Sequence, residues 1–158
     1  MPLNADEMEY VGFWLRVGAT LIDTLIVLIV TTPPLLWIYG WRHFLDPQKP
    51  FISGPAEFLI SWVLPAAAVL WFWLRKEATP GKMAIGAHIV DADTGNPMSM
   101  SQAGVRYIGY FVAALPLFLG LLWVAFDARR QGWHDKMART VVVRRRGGGV
   151  QPVSFGRR

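Results

Sequence analysis

The chain has 158 residues, of which 53% are hydrophobic and 13% aromatic, with eight Trp and a formal net charge of +5. A composition this apolar at this size excludes an ordinary soluble globular domain, and the solvent it suits is a bilayer. The absence of cysteine excludes a disulfide framework, a Cys-based metal site and a thiol nucleophile, and leaves the redox compartment undetermined.

The first ten residues, MPLNADEMEY, carry Asp6, Glu7 and Glu9 and no Lys or Arg. They lack the positive n-region of a signal peptide, so the first apolar segment is expected to stay in the mature protein. Three apolar runs follow, each near the ~20 residues that cross a bilayer as helix. The first covers about 11–41 and contains Pro33-Pro34, which is expected to kink or end it. The second, about 57–74, lies between Glu57 and Arg75-Lys-Glu77, and its Pro65 is tolerable in a membrane helix. The third, about 105–126, carries Arg106 at one end and Pro116 and Gly120 in its middle.

Lys and Arg in the short flanks set the expected orientation. The segment between runs one and two has Arg42 and Lys49, whereas the next has Arg75, Lys76, Lys82 and Arg106, and the chain from Arg129 onward has nine. Three simple spans would export one of the two basic flanks. A third run bent between Pro116 and Gly120 keeps both inside. Pairing of strand-like stretches points the same way: Met83–Asp91 and Arg139–Val143 are the only such stretches outside the apolar runs, and neither holds as a lone strand. The expected architecture is an all-α membrane protein, a small bundle of about three transmembrane or re-entrant helices with a small cytoplasmic β-patch. An acidic head (1–10) precedes the membrane domain (11–143), and a basic flexible tail (144–158) follows it. Both termini are expected in the cytoplasm, in a multi-pass membrane protein.

The stretch GFWLRVGATLID places Arg16 and Asp23 seven residues apart in an otherwise oily helix. Two helical turns put them on one face, with Thr20 between, and ~10 Å apart along the axis, too far for a simple direct pair. With Gly12 and Ala19 they form a small, polar stripe that reads as a packing face. Ionisable groups at this depth face protein or water and often mark a pathway. Arg16 is near enough to the helix end to snorkel. Two readings stay open: the charges tie helices together, or Asp23 handles an ion or proton. Arg16 with Asp127 is the preferred bridge.

The pieces GFWLRVGATLID, ATPGKMAIGAHIVDADTG, VRYIGYF and FDARRQGWHDKMARTVVV resemble the RDD family of bacterial membrane proteins, named for an arginine and two aspartates. Arg16 and Asp23 map onto the arginine and first aspartate. The second is Asp127 or Asp135, with Asp135 favoured by the His134-Asp135 dipeptide. The resemblance implies a bacterial inner-membrane protein of a largely uncharacterised family with suggested roles in transport, some members being implicated in sodium/proton antiport. The family often has Ala-Gly-Thr where this chain has Ala138-Arg-Thr140.

Other motifs say less. Thr79-Pro-Gly-Lys82 lacks the residues of a Walker A loop and is read as a turn with Lys82 at the lipid headgroups. His43, His88 and His134 lack ligand spacing, so no metal or other cofactor is expected. His134-Asp135 has the composition of a proton relay, although such a pair more often satisfies backbone at a turn. The eight Trp fall mostly near run ends, as interfacial anchors do. Arg144, Arg145 and Arg146 suit anionic lipid rather than nucleic acid. No constellation of nucleophile, base and metal suggests an enzyme. The two function classes are therefore a small secondary transporter exchanging monovalent cations and protons at Asp23, and a non-transporting scaffold or lipid- or partner-binding module. So few helices enclose little space, and transport would call for a homo-oligomer.

Overall fold

The computed structural model describes residues 7–145 and 153–156. Arg146, one of the residues expected at lipid headgroups, and most of the expected basic tail lie outside the described residues, as does Asp6 in the acidic head. Helix α1 (Phe13–Tyr39) is one element of 27 residues and runs through Pro33 and Pro34 rather than ending there. Each proline removes one backbone donor, a loss that membrane helices accommodate through local side-chain and backbone adjustments. The helix stops instead at Gly40, whose φ of +73° is costly for any side chain and whose N–H closes on Leu36 O at 2.9 Å. Helix α2 spans Pro55–Lys76, with a π-helical stretch at Leu59–Val63. These two helices are long and apolar enough to cross a membrane.

Helix α3 (Pro80–Ala84) is a single turn after α2. Helix α4 (Met100–Ala114) begins with a capping box: Ser99 Oγ accepts from Gln102 N–H, and Gln102 Oε1 accepts from Ser99 N–H. The chain then turns by 113° into α5 (Leu119–Leu122) and the 3-10 turn Trp123–Ala125. Leu117 and Phe118 hold left-handed φ angles at the bend. Gly120 lets the returning leg touch α4, since a Cβ there would lie 2.6 Å from Ala113 Cα. The bend expected between Pro116 and Gly120 is therefore present, and both ends of the hairpin meet the sheet end of the molecule: Gln102 Nε2 donates to Asp91 near its start, and Arg129 Nη2 donates to Ala92 O just after its end. Helix α6 (Trp133–Met137) leads into the last strand.

Three short strands form an antiparallel sheet in the order β1 (Met8–Tyr10), β3 (Thr140–Arg145), β2 (Ala87–Asp91). The expected pairing of the two stretches is present, with Ile89 opposite Val142 and Asp91 opposite Thr140. The first strand was not legible in the sequence. Its three residues pair with Val143–Arg145, and Glu9 accepts from Arg144 Nε at 2.5 Å. The acidic head and basic tail thus each surrender residues to the sheet. Pleat alternation divides the valines: Ile89 and Val142 pack with Val11 and Trp73, while Val90, Val141 and Val143 pack with Met8 and Val153 on the other face. Trp73, expected as an interfacial anchor, is buried in this core, whereas Trp14, Trp37 and Trp41 remain exposed on the apolar helix ends.

Arg139 occupies the turn into β3 with φ +51°, the position at which the resemblance implied glycine. Its carbonyl accepts from Ala92 N–H at 2.9 Å, so the turn geometry is fixed by the sheet. A left-handed non-glycine residue costs roughly 1–2 kcal/mol, partly offset by its smaller unfolded-state freedom. Replacing Arg139→Gly is expected to stabilise the detergent-solubilised protein by about 0.5–1 kcal/mol, measured as a raised unfolding midpoint; a lowered midpoint would show that the Arg139 side chain contributes more than the turn costs.

Candidate functional site

Asp135 sits at the third position of α6, where its Oδ2 accepts from Gly132 N–H at 2.9 Å and so caps the helix. It is fully buried. A carboxylate out of water needs strong donors, and two arginines from two other helices supply them. Arg16 on α1 donates from Nη1 to Oδ2 at 2.6 Å, while Arg106 on α4 forms an ion pair with Oδ1 through its own Nη1. Arg16 also donates from Nε to Val11 O at 3.1 Å and from Nη2 to Arg130 O at 2.6 Å, which fixes the fork. Arg106 donates to Thr140 Oγ1 at the start of β3 and lies over the Trp73 ring, 5.3 Å from its centroid. Burial would raise the Asp135 carboxyl, but Arg106 and Arg16 hold it far below the ordinary carboxylate range.

Asp23 is held differently. Its Oδ2 accepts from Thr79 Oγ1 at 2.5 Å and its Oδ1 from Gly81 N–H at 2.7 Å. Gly81 is required by proximity: a Cβ there would lie 2.0 Å from Ala19 O, inside the α1 backbone. The small residues of the polar stripe therefore admit α3 against α1, and Asp23 locks it. Lys82, the next residue, is drawn into the same junction and is only 6% exposed. Lys82 therefore lies inside this junction rather than on an open turn, because the approach of Gly81 to α1 carries its neighbour inward. Lys82 Nζ reaches Thr79 Oγ1 at 3.5 Å.

The structure gathers Arg16, His134 and Asp135 together, and Thr20 with Asp23 beside Lys82. Asp127 lies apart. It accepts from the N–H groups of Arg129 and Gln131 at 3.0 and 3.1 Å and pairs with Lys136. The expected Arg16–Asp127 bridge is therefore replaced by Arg16–Asp135, Asp127 being taken up by Lys136 and the backbone of its own turn. Burial would raise the Asp127 carboxyl, but the Lys136 contact and these N–H donors lower it overall. Arg144 pairs with Glu9 across the sheet, while Arg145 is exposed. The sequence marks Arg106 only as a basic residue at the end of the third run, and assigns no role to Tyr110. Tyr110 stacks on His134, with ring centroids 4.0 Å apart. The aromatic spacing Tyr107, Tyr110 on α4, beside Arg106, was the available signal.

Two cavities adjoin these groups. One, of about 330 Å³, is lined by Arg16, Lys82 and His134 at its polar side and by residues such as Phe13, Val17 and Leu121 elsewhere. The other, of about 240 Å³, includes Asp23, Thr79 and Trp73, and the two share Thr20, Lys82 and Tyr110. Among the described residues no group of three or more His, Asp or Glu side chains is placed to hold a metal.

Burial depresses the His134 imidazole to about 3, with Asp135 opposing and Arg106 and Arg16 reinforcing the fall. A histidine neutral when folded and protonated when unfolded contributes stability that is full above about 6.5 and lost as pH falls toward about 3. Unfolding midpoints are expected to drop between pH 7 and pH 4, by up to about 1.4 kcal/mol per unit. A His134→Gln variant is expected to show a flatter profile over that window; an unchanged slope would refute the assignment.

The family model described as RDD family matches residues 10–139. A proline-rich antigen homolog of Mycobacterium tuberculosis (strain CDC 1551 / Oshkosh) is 30% identical over 109 residues, which cover 66% of this chain and 45% of that protein. An uncharacterised protein of Rickettsia prowazekii (strain Madrid E) is 33% identical over 173 residues, covering 87% of this chain and 98% of its own length. The uncharacterised protein YckC of Bacillus subtilis (strain 168) is 32% identical over 139 residues, covering 84% of this chain and 83% of its own. The chain spans less than half the length of the mycobacterial relatives it matches. No solved structure matches it. With the family model covering all of the helices and the buried Arg16–Asp135–Arg106 cluster, the chain belongs to the RDD family and is a protein of membrane type.

Proposed function

We propose that the chain is a non-transporting, membrane-integral module that binds lipid or a protein partner, and that Arg16, Asp23 and Asp135 act as fixed links between its elements. The observation that carries this reading is that every oxygen of both carboxylates already meets a protein group: Asp135 has ion pairs with Arg16 and Arg106 and a hydrogen bond from Gly132, and Asp23 has hydrogen bonds from Thr79 and Gly81. A carrier carboxylate has to exchange a cation for a proton. Asp135 stays ionised while its arginines are in place, and breaking one arm of such a buried cluster costs on the order of 3–5 kcal/mol. At Asp23 both carboxylate oxygens already accept hydrogen bonds, one from the Thr79 hydroxyl and one from the Gly81 N–H.

Ion exchange at Asp23 is the second reading, supported by one observation. Among the described residues Asp23 has no salt-bridge partner, and it borders the 240 Å³ cavity together with the Thr20 and Thr79 hydroxyls. Sodium-driven proton movement in proteoliposomes separates the two. Neither the wild type nor Asp23→Asn is expected to move protons on addition of sodium, lithium or potassium, with both variants shown to insert equally. Movement by the wild type that is lost in Asp23→Asn would establish exchange.

The placement we infer is multi-pass in a bacterial cytoplasmic membrane, with the sheet and the N-terminus inside. The sheet gathers the start of the chain, the segment after α2 and the last strand at one end of the two spans. Basic residues are dense at that end and reduce to Arg42 and Lys49 in the opposite connection. There, Lys49 and His43 meet the Glu57 carboxylate, which also accepts from Ser53 N–H at 2.6 Å and so staples the loop. Because the chain has no cysteine, single Asp46→Cys and Asn96→Cys variants report topology directly. An impermeant maleimide added to intact cells is expected to label the first and not the second; labelling of the second alone would reverse the orientation.

A further inference from the structure

The cavity beside α1 combines two chemistries that one kind of ligand would satisfy. Its polar side presents Arg16, Lys82 and the His134 ring, and none of its lining residues is acidic. Its remaining wall is mostly hydrocarbon, from Phe13, Val17 and Leu21 on α1 and from Leu121 and Val124 on the returning leg of the hairpin. Leu21 is 61% exposed, which leaves the α1 side of the cavity open toward the apolar surroundings of the helix.

The formal charges around it do not balance. Arg16, Arg106 and Lys82 face two carboxylates, Asp135 and Asp23, both already engaged. Lys82 is the uncompensated member: no carboxylate of the described residues forms a salt bridge with its Nζ, and its one hydrogen bond is the long contact to Thr79. An ammonium carries three donors. A buried cation with unused donors is costly unless an anion answers it.

We propose that this cavity binds the phosphate-bearing end of an anionic membrane phospholipid, with Lys82 as its principal ligand, unused Arg16 N–H donors as its support, and an acyl chain along Val17 and Leu121. The volume of about 330 Å³ falls at the lower end of the range for ligand cavities. It suits a headgroup and the first part of one chain, the remainder lying in the bilayer beside α1. A zwitterionic lipid brings its own ammonium group to a site already rich in cations, so selection for net negative charge follows from the lining. This assignment rests on the reading of the chain as a lipid- or partner-binding module, and it names the ligand.

Full-length protein, delipidated in detergent, would be titrated with phosphatidylglycerol, phosphatidylcholine or inorganic phosphate, with bound lipid counted by native mass spectrometry and stability followed by thermal midpoint. The wild type is expected to retain one phosphatidylglycerol with at least tenfold preference over phosphatidylcholine, and inorganic phosphate is expected to leave the midpoint unchanged. Lys82→Met is expected to remove the preference. Val17→Trp, which keeps every charge and fills the apolar wall, is expected to weaken phosphatidylglycerol by a similar factor. Equal binding of the two lipids by the wild type, or a preference that survives both substitutions in folded protein, would overturn the proposal. A midpoint raised as much by inorganic phosphate as by phosphatidylglycerol would overturn the lipid assignment. Cation-driven proton movement in proteoliposomes would instead overturn the non-transporting reading, so the two failures are separable.

Discussion

A carboxylate without access to solvent has to be surrounded by donors, and the way Asp135 meets that demand governs the rest of this molecule. Its two guanidinium partners come from α1 and α4, its backbone donor comes from the turn before α6, and Thr140 at the mouth of β3 binds both Arg106 and the Asp135 carbonyl. One side chain therefore connects the first long apolar helix, the bent hairpin and the sheet. Because nonpolar helices in lipid gain little from burying one another, association in this setting relies on close packing and on polar links of this kind. The fold places one such link at its centre.

The second link works by proximity rather than charge. Gly81 brings the turn after α2 into contact with the α1 backbone, and Asp23 secures it through two hydrogen bonds. The consequence for chemistry lies in the neighbour: Lys82 is buried because Gly81 is close. The cationic wall of the larger cavity is thus a by-product of a packing contact. It places an amine where the two cavities meet, next to Thr20 and Tyr110.

These arrangements bear on what the charges of α1 do. Arg16 and Asp23 project from one face, as their spacing implies, but they answer to different elements and never to each other. Arg16 serves the cluster beneath the sheet, and Asp23 serves the turn after α2. Both charges face protein, and the same face borders the cavities through Thr20. Structural linkage and a binding surface are therefore compatible on one helix, without either carboxylate having to release its partners.

The sequence by itself determined what local physics controls. Apolar runs of sufficient length mark the two helices able to cross a membrane, Pro116 and Gly120 mark a break in the third run, and strand-like stretches outside the apolar runs have to pair to satisfy their backbone. The seven-residue spacing of Arg16 and Asp23 assigns them to one face. What it left undecided depends on distance in space. Three-residue β1 carries too little pattern to be recognised before β3 is there to accept it. The choice of Asp135 over Asp127 for Arg16 turns on where a one-turn helix places its third residue, and the burial of Lys82 turns on how closely Gly81 approaches α1. Helical periodicity fixes which residues share a face, whereas only the packed structure fixes which faces meet, and a buried charge takes its meaning from the group it meets.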